Sequence, residues 1–242
     1  MQLLQPEIIF EDDDLIVVNK PSGWLSIPDR FDVLKPNLIA FLQKKNCNVL
    51  VVHRLVRETS GLIIFAKNET AHRGLNQQMM DKTAEKYYLA LTEGIVSPSK
   101  GEINKPLAES MTRAGTMIVA KRGKDSLNTY ETIETFKNFT LLEVRIHTGR
   151  MHQVRVHLQS IGHPLAIDSI YGRRESISIS DIKIKKLHLN KYQTETKPMM
   201  ERTTLHSKKL IIQHPTSLEK MTFEAPIHKD FSALLTQLRK WG

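Results

Sequence analysis

Cysteine is almost absent: Cys47 stands alone in the chain. A single cysteine excludes an intrachain disulfide and a cysteine-built zinc site, and it fits a reducing compartment. Long hydrophobic runs are missing too. Uninterrupted apolar stretches such as Leu15–Val18 and Leu62–Ala66 fall far short of the roughly 20 residues a membrane helix needs. The N-terminal stretch MQLLQPEIIFEDDD turns acidic where a signal peptide is basic and then apolar. A cytoplasmic protein is expected, with no membrane partner. The chain also lacks a glycine-rich phosphate loop, a G-x-S-x-G elbow and a dinucleotide-binding fingerprint.

What is present is basic. In 242 residues, 35 Lys and Arg face 26 Asp and Glu, a net charge of +9. Such an excess suggests a polyanionic partner, either nucleic acid or an acidic membrane face. The length suffices for a substantial core. Ile8–Phe10, the acidic turn Glu11–Asp14 and Leu15–Val18 read as a hairpin, followed by the loop signal Lys20-Pro21-Ser22-Gly23. Residues 50–55 and 62–66 read as buried strands around a polar loop. Thr70–Lys82 reads as a helix with Ala71, Leu75 and Met79 on one face. Residues 87–91 and 126–146 return to strand. Thr148 is the expected cap of a helix reaching Ile161, with Val154, Leu158 and Ile161 facing inward. Residues 173–201 read as a long, weakly structured loop. The chain ends in an amphipathic helix on Phe231, Leu234, Leu235, Leu238 and Trp241. The expected fold is α+β: one domain over residues 1–242, with a mostly antiparallel central sheet and flanking helices and loops. No exposed apolar stripe stands out, so a monomer is expected.

Two stretches carry candidate chemistry. In the first, His53, Arg54 and Arg57 precede a Thr59-Ser60-Gly61 turn between apolar strands. A polar loop on rigid flanks is a common way to present a site, although a solvated surface loop has the same pattern. The second runs from Arg145 to His157. It holds Arg145, Arg150 and Arg155 with His147, His152 and His157, and no acid. Such a run attracts phosphate, and Arg150 and Gln153 fall near the first turn of the expected helix, where free N–H groups favour anions. A basic, exposed helix face is the plainer alternative. The histidines recur every five residues, which spreads them around a helix, so no metal site is expected.

Taken together, these segments resemble the RluA type of pseudouridine synthase. The carriers are Leu15–Gly23, His53-Arg54-Leu55 with Thr59-Ser60-Gly61, Lys86-Tyr87-Tyr88 and Thr148–His157. Gly162-His163-Pro164, Asp168 with Tyr171-Gly172, Leu205-His206 and His214-Pro215 extend the match. The resemblance runs from about Glu7 to Gln237, without the small N-terminal RNA-binding module of some relatives. It implies isomerisation of uridine to pseudouridine in ribosomal or transfer RNA, with no cofactor and no metal. The target base must leave its stack to be reached. By residue match, Arg54 would help fill the gap left by the flipped nucleotide. Tyr88 would stack on the uracil and handle protons, and Arg155 would pair with the catalytic carboxylate. His53, Arg57, Arg150, His152 and Gln153 would contact RNA.

One position departs from the pattern. The family places its catalytic aspartate between Leu55 and Arg57, and here the residue is Val56. Valine has no lone pair and is neither nucleophile nor base. Glu58 would share a side with Val56 on an extended strand, but relatives often carry an acid there as well as the aspartate. Asp168 matches a family position of its own, so no replacement carboxylate is expected. Isomerase activity is therefore expected to be lost or strongly impaired, and Arg155 to lose its charge partner and take up an anion or reach solvent. Three readings stay open: an active synthase using another route, an inactive RNA-binding protein on the synthase scaffold, and a general basic nucleic-acid module.

Overall fold

A computed structural model describes residues 4–45, 47–183 and 198–242. In chain order, the first elements are β1 (Glu7–Glu11), β2 (Leu15–Lys20), α1 (Leu38–Gln43), β3 (Leu50–Val51), β4 (Ser60–Ala66), α2 (Glu69–Met80) and β5 (Glu85–Glu93). Next come β6 (Lys100–Asn104), β7 (Leu107–Glu109), β8 (Met117–Val119), β9 (Leu127–Thr135), β10 (Phe139–Ile146) and α3 (Gln153–Ser160). The chain closes with α4 (Ile179–Ile182), β11 (Leu205–Gln213), β12 (Lys220–Glu224) and α5 (Lys229–Trp241). The fold is α+β, and the registered strand pairs are antiparallel except for β11 with β4.

The chain forms two compact units. The first comprises Met1–Tyr88, Arg145–His147 and His206–Pro226. Its strands lie in the order β1-β2-β4-β11-β5, with β12 on β11 and β3 on β4. The Asp12 carboxylate accepts from the Asp14 and Leu15 N–H groups, both at 2.8 Å, and so closes the turn into β2. Strands β2 and β4 are buried along their whole length. Their near-continuous apolar sequence is what a strand covered on both faces requires. Leu15, Val17, Leu62 and Ile64 pack with Ala71 and Leu75 of α2 and with Leu210, Ile212 and Phe223. Helix α2 starts where the Asn68 side chain caps the Ala71 N–H at 2.9 Å.

The second unit comprises Leu89–Val144, Thr148–Leu205 and Ile227–Gly242. Its strands lie in the order β5-β10-β9-β6, with β7 and β8 as a separate pair. Phe231, Leu234, Leu235 and Leu238 of α5 join Leu89, Leu91, Phe139 and Ile167 in its core. Trp241, expected on that apolar face, is instead 44% exposed. The stretch expected as a loose loop contributes Ile177, Ile182 and Met200 to the same core, and residues 184–197 of it lie outside the described residues.

Two sequence expectations need correction. Residues 52–55 are not strand, since β3 ends at Val51 and the following backbone bonds to a neighbouring turn. Helix α3 begins at Gln153 rather than at Thr148. Its N-cap is His152, at a left-handed φ of 53°, and Thr148 serves other partners. Residues 153–158 are all buried, so the helix is a core rod rather than an amphipathic surface helix.

Gly61 is the tightest point of the first unit. It sits at φ +105° and pairs in register with Ser207 on β11, where an added Cβ would overlap the Ser207 backbone. Only glycine fits both conditions. Gly61→Ala is expected to destabilise the protein by about 2–6 kcal/mol, combining backbone strain with overpacking, as measured by urea denaturation.

Candidate functional site

The loop between β3 and β4 carries His53, Arg54, Val56 and Arg57. The turn that follows β2 holds it in place. Lys20, fully buried, donates its ammonium to the carbonyls of Pro21 (3.2 Å), Trp24 (2.8 Å) and Arg57 (3.0 Å). The Gly23 N–H reaches the same Arg57 carbonyl at 2.9 Å, and Arg57 Nε donates back to the Gly23 carbonyl at 3.1 Å. Ser22 Oγ donates to the Glu58 carbonyl at 2.8 Å. Ser26 Oγ donates to the Leu55 carbonyl and accepts from the Leu55 N–H, both at 3.0 Å. The backbone on each side of Val56 is thereby fixed. A charge-assisted bond from a buried ammonium is among the stronger contacts a loop carbonyl can receive.

Val56 is half-buried, and its carbonyl accepts from the Thr59 N–H at 3.1 Å, so residues 56–59 form a turn. Strand alternation therefore does not apply to Glu58, which corrects the reading that would align it with Val56. Arg54 and Arg57 are exposed. His53, expected as an RNA contact, is bonded within the protein. Its Nε2 accepts from the Ile64 N–H at 3.2 Å, which leaves the ring proton on Nδ1. Burial, with the Lys86 charge beside it, pushes the pKa of His53 down to about 3. A neutral His53 anchors the loop to β4.

Tyr88, on β5 in the same unit, is buried. Burial raises its phenol to about 12, against a hydrogen bond with Ser207 that lowers it. At neutral pH it is a protonated phenol, able to donate and accept a hydrogen bond but not to act as a standing base. Burial likewise lowers the pKa of Lys86. His206, from the tail motif, bonds Ser60 Oγ at 2.9 Å through Nδ1 and the Ala225 carbonyl at 3.2 Å through Nε2.

In the second unit the basic run finds its partners inside the protein. Arg155 is buried and grips Asp168 with two parallel bonds, Nε to Oδ2 at 2.7 Å and Nη2 to Oδ1 at 2.5 Å. Its third nitrogen, Nη1, is buried with no partner among the described residues. This corrects the expectation of an Arg155 without a counter-charge: Asp168 supplies it from the next loop. Asp168 Oδ1 also caps the Ile170 and Tyr171 N–H groups, at 2.9 and 3.0 Å. Burial raises the pKa of Asp168, but the Arg155 bonds and charge and the two capped N–H groups outweigh it and hold the carboxyl below its ordinary value. Tyr171 lies 5.1 Å from the Arg155 guanidinium, and its hydroxyl accepts from the Met117 N–H and bonds His152 Nδ1, each at 2.8 Å.

Gln153, expected as an RNA contact, has its amide engaged within the protein. Its Oε1 accepts from Thr148 Oγ1 (2.8 Å) and the Arg150 N–H (3.0 Å). Its Nε2 donates to the Leu127 carbonyl (3.1 Å) and Asn128 Oδ1 (2.7 Å). All four bonding positions of the amide are occupied, and the residue is buried. His157 is buried with Nε2 on the Lys105 carbonyl at 2.9 Å. Arg145 falls in the first unit, where it pairs with Glu85 at 3.4 Å. Of the arginines in the run only Arg150 is exposed, its Nε on the Asp125 carbonyl at 3.2 Å. The run is thus not a continuous basic stripe. Among the described residues no cluster of three or more His, Cys, Asp or Glu is arranged to hold a metal.

Sequence reasoning missed Lys20, Ser26 and the Asp168–Arg155 pair as organising contacts. For Lys20, Arg155 and Asp168 the signal was present only as motif membership, and for Ser26 there was none, because neither spacing nor periodicity says which carbonyl a buried ammonium or hydroxyl will find.

A clamped loop followed by the Thr-Ser-Gly turn, a buried tyrosine on β5 and an Arg–Asp pair on motif residues define a pseudouridine-synthase-type domain. The comparisons with known proteins agree. The family model described as RNA pseudouridylate synthase matches residues 14–160. A Bacillus subtilis protein named as the uncharacterized RNA pseudouridine synthase YlyB is 34% identical over 246 residues, covering 98% of this chain and 74% of its own length. Ribosomal large subunit pseudouridine synthase D of Zymomonas mobilis is 35% identical over 244 residues, covering 96% and 72%. The solved structure of human RNA pseudouridylate synthase domain containing 4 matches with a TM-score of 0.72 at 26% identity, covering 96% of this chain and 92% of that one. The chain belongs to the RNA pseudouridylate synthase family and is a catalytic domain of the RluA type.

Asp168→Ala leaves a buried, unpaired Arg155 and is expected to lower unfolding stability by about 3–5 kcal/mol at pH 7 in urea titrations. The folded pKa of Asp168 is depressed, so its contribution is present above the unfolded value of about 3.9 and is lost as pH falls through the folded value. The gap between native and variant therefore narrows in acid. Tyr88 titrates in the opposite sense. Its raised pKa means that the folded state loses about 3 kcal/mol relative to the unfolded state between pH 10 and about 12. Tyr88→Phe is expected to lack this alkaline loss when the two proteins are compared by denaturation across that range.

Proposed function

We propose that this chain is an RNA-binding member of the family in which isomerisation of uridine to pseudouridine is lost or strongly impaired. Val56 carries the reading. It stands where the motif His53-Arg54-Leu55 leads to the family's catalytic aspartate, on backbone clamped at Leu55 and Arg57. A clamp of that kind holds a side chain in a defined place, and here the side chain lacks the carboxylate the reaction needs. Loss of a nucleophile costs several orders of magnitude in rate.

The proposed RNA is ribosomal or transfer RNA. Support comes from the relatives, among them the Vibrio cholerae protein named dual-specificity RNA pseudouridine synthase RluA, 33% identical over 216 residues. Arg54, Arg57 and Arg150 are the exposed cations of the motifs and the proposed phosphate contacts, with His152 close to Arg150 in sequence. Tyr88 is proposed to meet the uracil as a neutral phenol. Arg155 is proposed as the buried cation whose Nη1 would serve a carboxylate or phosphate. The reaction implied by the family needs neither cofactor nor metal. We further propose one catalytic-type domain over residues 1–242, acting as a cytoplasmic monomer. The family model draws on residues of both units, and among the described residues no helix is long and apolar enough to cross a membrane.

The test is a paired assay. Native protein and Val56→Asp are incubated with total RNA lacking pseudouridine, and new pseudouridine is mapped by chemical labelling. The expected result is modification by Val56→Asp alone, with the native rate lower by about a thousandfold or more. Comparable turnover by the native chain would assign the chemistry to another group and restore the reading of an active synthase.

A further inference from the structure

Arg145 leaves the basic run and joins a second set of charges in the first unit. Tyr87 lies on β5, which the sheet places between β11 and β10. A cation reaches its ring from each of these neighbours. Lys209 Nζ, from β11, lies 4.2 Å from the ring centroid, and the Arg145 guanidinium, from β10, lies 5.6 Å from it. The Tyr87 hydroxyl donates to Glu85 Oε2 at 2.5 Å, and Arg145 Nη2 lies 3.4 Å from the same oxygen. All four residues belong to the first unit. Contact with an aromatic ring holds a cation in place without neutralising it.

Glu85 is the acid these cations share. The Tyr87 hydrogen bond holds its carboxyl below the ordinary value against the effect of burial, and the charges of Arg145, Lys220 and Lys209 lower it further. Three cations thus face one ionised carboxylate. Arg145 Nε is buried with no partner among the described residues. Lys209 makes no ion pair among the described residues, not even with Glu224, its register partner on β12. Lys209 and Arg145 are half-buried and Lys220 is exposed, so all three reach solvent. Cations in excess of their acids, fixed on strands and open to water, suit a polyanion. Two strand spacings, about 10 Å, separate β11 from β10. With the Tyr87 ring between them, the two cations meet separate phosphates. Charges already held by a ring and a strand lose little entropy on binding.

We propose that Lys209 and Arg145, set on the strands either side of Tyr87, form a phosphate-binding row that anchors RNA. Lys220 adds to the field of the row. Glu85 fixes its geometry through Tyr87 and Arg145, and at the same time weakens its hold on phosphate. The row reads no base, so it holds paired and unpaired RNA alike. The proposal rests on the RNA-binding reading above and adds an anchor outside the loop that carries His53, Arg54 and Arg57.

The experiment measures binding of the full chain to a stem–loop RNA and to a fully paired duplex across a salt series, with a thermal melt for each protein. Native protein is compared with Lys209→Ala, Lys209→Arg, Arg145→Ala, Glu85→Gln and Lys137→Ala, the last an exposed lysine of the second unit. Lys209→Ala and Arg145→Ala are each expected to weaken both RNAs by about 5- to 10-fold and to lower the salt slope by about one. Lys209→Arg is expected to keep native affinity. Glu85→Gln is expected to tighten binding, because it removes the charge that opposes phosphate; a cluster that only supports the fold gives no such gain. Lys137→Ala, being screened from the row, is expected to change affinity by less than about twofold. Should Arg145→Ala melt early, Lys209→Ala and Glu85→Gln decide the matter. If native protein binds RNA while those two variants bind it equally well, the row is refuted and the RNA-binding reading stands. A loss for Lys137→Ala equal to that for Lys209→Ala would assign the effect to net charge and overturn the proposal. If native protein binds neither RNA, both readings fail.

Discussion

The ammonium of Lys20 holds together the loop that carries the candidate site. A buried cation is costly unless hydrogen bonds replace its water, and here the carbonyls of Pro21, Trp24 and Arg57 do so. In meeting that need, the lysine joins the turn after β2 to the loop before β4. Ser22, Gly23 and Ser26 complete the connection along the same few residues. The loop owes its position to β2, one of the best buried strands in the chain, rather than to its own sequence. Gly61 completes the support from the other end, letting β4 approach β11 where a side chain would block it.

The same economy recurs in the second unit. Asp168 neutralises Arg155, caps its own turn through two N–H groups and brings Tyr171 over the guanidinium. Tyr171 in turn fixes His152, and Gln153 ties the start of α3 to β9. Side chains that look like a phosphate-attracting surface are here largely a satisfied interior. A low-dielectric interior strengthens such bonds and equally penalises any that are left unmade. Among the described residues, Arg155 Nη1, Asn128 Nδ2 and His157 Nδ1 are buried there without a hydrogen-bond partner.

Val56 is the contrast to all of this. Its neighbours are held as though a defined side-chain position mattered, and the positioning groups around it are intact. Replacing a polar site residue with a small apolar one leaves hydrogen bonds of the backbone untouched, and active-site polar groups often reduce stability. On the proposed reading the scaffold and the reaction are separable, because the backbone clamps on either side of Val56 do not depend on its side chain.

Composition and local pattern determined a good deal. The apolar runs of β2 and β4, the acidic turn before them, the amphipathic spacing of α2 and α5 and the α+β class follow from short-range rules of burial and turn chemistry, as does the absence of disulfides. Motif order singled out Val56, Tyr88 and Arg155 as candidates. What sequence left undecided depended on contacts far apart in the chain. The Arg145–His157 run reads as a basic stripe because its counter-charges, Asp168 and Glu85, lie outside the segment. His53 and Gln153 read as polar contacts because nothing local reveals that the Ile64 N–H, Leu127 and Asn128 will engage them. Helix α3 starts late because Thr148 and Gln153 bond to each other and to β9 instead of capping. Periodicity reports which face of an element is apolar; the partner of a buried charge is set by the strand or loop that folds against it, and only the tertiary structure decides that.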